Sequence, residues 1–101
     1  MTVRVVVVTA HWRARVLERL GMGVDADALA EAIAWDIDNG GENTAYLGRV
    51  SRAGKRAYRF TFPGNINGAA IVIPTERQIR FITVFESGRR IPREGKDSVR
   101  A

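Results

Sequence analysis

The spacing of apolar residues changes period twice along this chain, and those two changes leave few architectures open. Val3, Val5, Val6, Val7 and Val8 form a β-branched run within Met1–Thr9, interrupted by Arg4, and predict a strand. From Ala10 to Leu20 the period becomes helical. Trp12, Val16 and Leu20 fall at four-residue spacing with Leu17 beside them, Thr9 is the expected N-cap, and Gly21 and Gly23 stop the helix. Arg13 lies inside that apolar stripe and must snorkel or mark an irregular first turn. A second helix is predicted over Val24–Asp38, capped by Asp25, with Leu29, Ile33 and Ile37 as its buried stripe and Ala30 and Ala34 allowing close approach. Asn39-Gly40-Gly41 ends it. The short link between the two predicts a helical hairpin.

After Asn43 the period falls to two. Thr44–Arg52 and Lys55–Phe62 flank a turn at Ala53-Gly54, and Tyr58, Phe60 and Phe62 alternate with Ala57, Arg59 and Thr61. Pro63-Gly64-Asn65 breaks the chain before a short strand at Ala69–Ile73, and Pro74-Thr75-Glu76 turns it into Arg77–Glu86. The unbroken valine run suits a strand buried on both faces near the middle of a sheet. The order β-α-α-β-β-β-β predicts an α+β fold, a two-helix hairpin packed on one face of a mainly antiparallel sheet whose other face is open. Residues 1–86 are expected to form a single domain. Residues 87–101 carry a net +3 with little apolar content beyond Ile91 and Val99, and are expected to be a flexible basic tail.

Composition narrows the function. A chain of 101 residues is one domain. The absence of cysteine and the single histidine argue against a disulfide framework, a thiolate metal site or an imidazole zinc site, so neither metal nor cofactor is expected. The longest unbroken apolar run is Val5–Val8, which predicts neither a membrane-spanning helix nor a signal segment and makes the cytoplasm the default location. Gly21-Met22-Gly23 lacks the third glycine of a nucleotide loop and follows a helix, and Ser51, Ser87 and Ser98 have no neighbouring base. Asp36, Asp38 and Glu42 lack calcium-loop spacing and read as solvated helix acids.

Charge is segregated. The net charge is +5, yet Asp25–Glu42 holds six acids and no Lys or Arg, leaving +11 on the remainder. Such polarity favours an anionic partner. Arginine supplies fourteen of the sixteen positive charges, which suits bidentate phosphate recognition. His11, Arg15 and Arg19 share one side of the first helix, drifting about 40° per step. Like charges so spaced repel by a few tenths of a kcal/mol per pair, roughly. Glu18 stands close enough in sequence to offset part of this by pairing with an arginine. A solvated helix face explains such a row on a generic helix, but here the opposite side is committed to the core, which favours an anion lying across it.

The segment Thr9-Ala10-His11-Trp12-Arg13-Ala14-Arg15-Val16-Leu17-Glu18-Arg19-Leu20-Gly21 resembles the opening of small bacterial RelE-like toxin domains (the barnase/EndoU/colicin/RelE type), within a group that begins with a His-x3-Arg-x3-Arg helix. The resemblance runs over about Val3–Glu86, through the strand order and the closing Ile79–Phe85 strand with Thr83 and Val84 near its end. It implies a ribonuclease-type fold forming half of a toxin–antitoxin pair: a metal-independent endoribonuclease that cleaves RNA by acid–base transesterification. RNA, including ribosome-bound mRNA, and an acidic antitoxin are the partners so implied. On that reading His11 is general acid or base. Arg15, Arg59 and Arg80 stabilise the phosphorane, and Arg19, Arg56, Arg89 and Arg90 position phosphate. Tyr58 is a candidate proton donor to the leaving group, although its alternation with Phe60 and Phe62 favours a core role. Two other readings stand beside this one. The first is a non-catalytic nucleic-acid- or ribosome-binding module; the second is a phage or mobile-element protein docking a partner through its acidic helix and arginine tail. Pattern alone does not fix strand register, so the side on which Arg56, Arg59, Arg77 and Arg80 emerge is a structural question.

Overall fold

Capping sets the helix boundaries. The Thr9 hydroxyl accepts from the Trp12 amide at 3.1 Å and opens α1 (Ala10–Leu20), which Gly21 closes with a positive φ. Asp25 accepts from the Asp27 and Ala28 amides at 3.0 Å each and opens α2 (Ala26–Asp38). The structure is a computed structural model describing residues 4–94 and 96–101. Around the helices run β1 (Val5–Val8), β2 (Thr44–Arg49), β3 (Arg56–Phe62), β4 (Ile66–Pro74) and β5 (Gln78–Glu86). They form one sheet in the order β1-β5-β4-β3-β2, with β1 parallel to β5 and every other pair antiparallel. The fold is α+β, with both helices on one face of the sheet. None of the described helices is long and apolar enough to cross a membrane.

Trp12 is the hub of the helix-side core. Its ring meets Phe81 edge-on at 4.9 Å, and its indole N–H donates to the Ala26 carbonyl at 2.9 Å, pinning α2 to α1. Val16, Leu29, Ala30, Ile33 and Ala34 from the helices pack on Phe60, Val72, Ile79, Phe81 and Val84 of the sheet. Arg13 leaves the stripe by reaching outward to Asp27, at 2.9 Å. A groove of about 270 Å³ opens between the start of α2 and the β3–β4 turn, lined by Val24, Leu29, Phe62 and Ile66 among others.

Four expectations are corrected. The valine strand is not central: β1 is an edge strand, because the two helices carry the chain away and only β5 returns beside it. Its alternate residues Val6 and Val8 face the core, whereas Val5 is exposed. Pro63-Gly64-Asn65 makes a hairpin turn rather than a break, with Gly64 and Asn65 at positive φ, so β4 already starts at Ile66. The second sheet face is not left open, nor do the last residues form a loose tail. They make β6 (Arg90–Arg93) and β7 (Lys96–Arg100), a two-stranded ribbon. Its Ile91, Val99 and Ala101 pack on Ala57, Ala69 and Ile71. Few apolar residues of the ribbon were needed, because Val50 and the half-buried Leu47, Ile82 and Phe85 belong to the same cluster.

The fourth correction is Asp36, which is no solvated acid. It is 2% exposed and accepts from Thr44 Oγ1 at 2.7 Å and Asn43 Nδ2 at 3.1 Å. Burial pushes its pKa up, but the side-chain and backbone hydrogen bonds of Thr44 and Asn43 outweigh burial and hold the carboxyl below its usual value. The carboxylate thereby ties α2 to the start of β2. Gly41 crosses so close that a Cβ there would overlap the carboxylate. A pKa lowered by folding contributes stability that is present above the unfolded value near 3.9 and lost as pH falls through the folded one. Asp36→Ala should therefore cost about 2–4 kcal/mol at pH 7 in urea denaturation, with the deficit shrinking below about pH 4. A deficit independent of pH would contradict this role for the carboxylate.

Candidate nucleic-acid interface

The row on α1 is used largely within the fold. Because β1 ends at Val8, the edge of β5 beyond Phe81 has no strand beside it. Instead α1 lies there. Thr9 Oγ1 donates to the Phe81 carbonyl at 2.8 Å and Arg19 Nη1 to the Val84 carbonyl at 2.7 Å, with the Arg19 guanidinium 4.8 Å above the Phe85 ring. Arg15 is paired with Glu18 at 2.6 Å, the offset expected from the sequence. His11 is exposed in the first turn, and no hydrogen bond among the described residues holds it.

The strand arginines divide between the two sheet faces. Arg56 alternates with Tyr58 and Phe60, so it lies on the helix side, where its Nη1 donates to Tyr46 Oη at 3.0 Å. Arg59 alternates with the buried Ala57, and Arg80 sits between Ile79 and Phe81 of the helix-side core, so both emerge on the opposite face. No hydrogen bond or ion pair among the described residues links His11 or Arg15 to Arg59 or Arg80. Tyr58 is a weakened proton donor as well: burial, then the neighbouring Tyr46, pushes its phenol above the ordinary value. Metal-ligating side chains do not gather either, since no group of three or more occurs among the described residues.

What the fold does gather is arginine on and around the β6–β7 ribbon. Arg90 stands directly opposite Arg100. Arg59 Nη2 donates up from the sheet to the Arg100 carbonyl at 3.2 Å, Arg100 Nη1 donates to the Gly88 carbonyl at 3.2 Å, and the exposed Arg89 accepts the Ala101 amide at 2.8 Å. At the other end Arg93 Nε donates to the Arg49 carbonyl at 3.1 Å, and Arg49 Nη2 to that of Arg52 at 3.2 Å. Among the described residues the ion pairs are Arg4–Asp38, Arg13–Asp27 and Arg15–Glu18, none of which includes an arginine of this face. Glu94 accepts from the Arg52 amide at 3.0 Å and helps seat the ribbon. Comparison with family models, curated proteins and solved structures finds no match.

Sequence spacing reaches Arg59, Arg89 and Arg90 of this face and misses Arg52, Arg93 and Arg100, as well as Arg49, which stands opposite Arg56 on the helix side and meets the ribbon through its backbone carbonyl. The signal for Arg90 and Arg100 was present as period-two alternation around the inward residues Ile91 and Val99. Arg49 and Arg52 join only through hydrogen bonds across more than forty residues of chain. Like charges directly opposite in a ribbon destabilise it. Arg90→Glu should pair with Arg100 and stabilise the ribbon by up to about 1 kcal/mol, read as slower amide exchange at Gly88 and Ala101. Faster exchange in that variant would show that the two guanidinium groups do not repel.

Proposed function

We propose that this chain is a non-catalytic nucleic-acid-binding module that grips backbone phosphates with the arginine face of its C-terminal ribbon. The observation that carries the reading is the cross-strand pair Arg90/Arg100, joined by Arg59 through the Arg100 carbonyl and left without a carboxylate partner among the described residues. Holding like charges together costs stability, and an anion laid across them recovers it. A five-residue strand spans about 16 Å, room for several phosphates. Arginine forks suit those oxygens better than lysine would. The reading places partner and protein in the cytoplasm.

The endoribonuclease reading implied by the RelE-like resemblance, with its acidic antitoxin, draws less support. It needs His11 and phosphorane-stabilising arginines around one phosphate, whereas Arg19 serves the β5 edge, Arg15 pairs with Glu18, and Arg59 and Arg80 lie across the sheet. Titration of a labelled 20-nucleotide RNA by anisotropy should give log affinity falling with log salt at a slope of about −2 to −3, for three or four phosphates. Arg59→Gln, Arg90→Gln and Arg100→Gln should each flatten that slope, His11→Ala should leave it unchanged, and the RNA should remain whole in EDTA. Binding indifferent to salt would overturn the reading, and cleavage abolished by His11→Ala would restore the ribonuclease.

A further inference from the structure

The cationic face does not stop at the ribbon; it turns around the β2 edge and ends on an exposed aromatic ring. Arg93 bonds the Arg49 carbonyl, and its Nη2 lies 3.8 Å from where a Cβ on Gly48 would stand. Arg49 is directly opposite Arg56 in the β2–β3 ladder, and the Arg56 guanidinium holds Tyr46 Oη at 3.0 Å. A bulge between Tyr46 and Gly48 sends Leu47 inward against the ribbon's cluster and leaves Tyr46 on the helix side. There the residue is 53% exposed and its ring rests on Tyr58, with centroids 5.2 Å apart and planes tilted by 48°. Tyr58 is itself packed against the core, so Tyr46 has a firm backing and an open outer face. The nearby carboxylate of Asp38 is taken by Arg4.

We infer that Tyr46, with Arg56 beside it, is a base-stacking platform, and that the ligand class is single-stranded nucleic acid. The inference rests on the phosphate-binding reading and adds a base to it. Arginines along a strand's path hold its phosphates, while an exposed ring at the end of that path offers a π-face to an unpaired base; a base paired in a duplex keeps its faces covered. Tyr46 and Tyr58 alone would amount to an ordinary cross-strand aromatic pair. The guanidinium on the Tyr46 hydroxyl, and the steps from Arg56 to Arg49 opposite it and from the Arg49 carbonyl to Arg93 of the ribbon, distinguish this site.

The test compares three probes on one protein: a 12-nucleotide single-stranded RNA, a 12-base-pair duplex and inorganic polyphosphate. Tyr46→Leu keeps apolar contact with Tyr58 but removes the stacking face. It should weaken the single strand by roughly 5- to 150-fold and leave duplex and polyphosphate unchanged, while Tyr46→Phe stays within about twofold of wild type on all three. In the unaltered protein, the Tyr46 ring protons should move upfield in NMR spectra with single-stranded RNA and stay in place with polyphosphate, a readout that does not depend on any variant folding. Equal losses on all three probes, or no loss on the single strand, overturn the platform while leaving phosphate binding intact. Failure of the unaltered protein to bind any probe removes both.

Discussion

Ala57, Ala69 and Ile71 form an apolar floor on the sheet face turned away from the helices, and that floor has to be covered from water. A sheet with one helical layer and a bare apolar face would leave a patch of the kind that draws other chains. The C-terminal ribbon covers it with Ile91, Val99 and Ala101, the first two contributing about 3 kcal/mol each at most and the alanine methyl less. Everything distinctive about the charge distribution follows. Once Ile91 and Val99 point inward, strand alternation turns Arg90 and Arg100 outward on facing positions. The backbone carbonyls of Arg49 and Arg100 then draw Arg93 and Arg59 into the same surface.

The helical layer is organised differently, around polar groups sealed inside. Asp36 holds the turn into β2, Trp12 donates to the first residue of α2, and Arg19 satisfies a β5 carbonyl that the short β1 leaves unpaired. Of the six acids in the window that looks like a single acidic patch in sequence, Asp36 is buried, Asp27 answers Arg13 and Asp38 answers Arg4. The acidic pole is thus weaker than its composition suggests. The basic face is stronger, because its arginines carry no such partners among the described residues.

Local chemistry made the helices legible: Thr9, Asp25 and Gly21 act at their own ends, and Trp12, Val16, Leu29 and Ile33 announce the buried stripe. The alternation of Tyr58, Phe60 and Phe62 likewise identified the core side of β3. What the pattern could not convey was set by distant contacts. A run of four valines reads the same at the centre of a sheet and at its edge, and the position of β1 was decided by which strand came back beside it. The ribbon was missed because two apolar residues are too few to bury a face alone; they suffice only above the apolar floor of Ala57, Ala69 and Ile71 supplied by β3 and β4. His11, Arg15 and Arg19 do share a helix side, as their spacing requires. Of the three only Arg19 bonds the open strand edge, a feature that arises from the length of β1 and is invisible in the helix itself.

The central claim is that covering the second sheet face creates the surface that meets phosphate. Backbone amide shifts, followed by NMR as unlabelled RNA is added to the labelled protein, locate the contact directly. The account predicts that the amides of Arg59, Arg90, Ile91, Val99 and Arg100 move together, with those of Arg49 and Tyr46, while α1 stays still. Shifts centred on His11 and Arg15, with the ribbon unmoved, would contradict it.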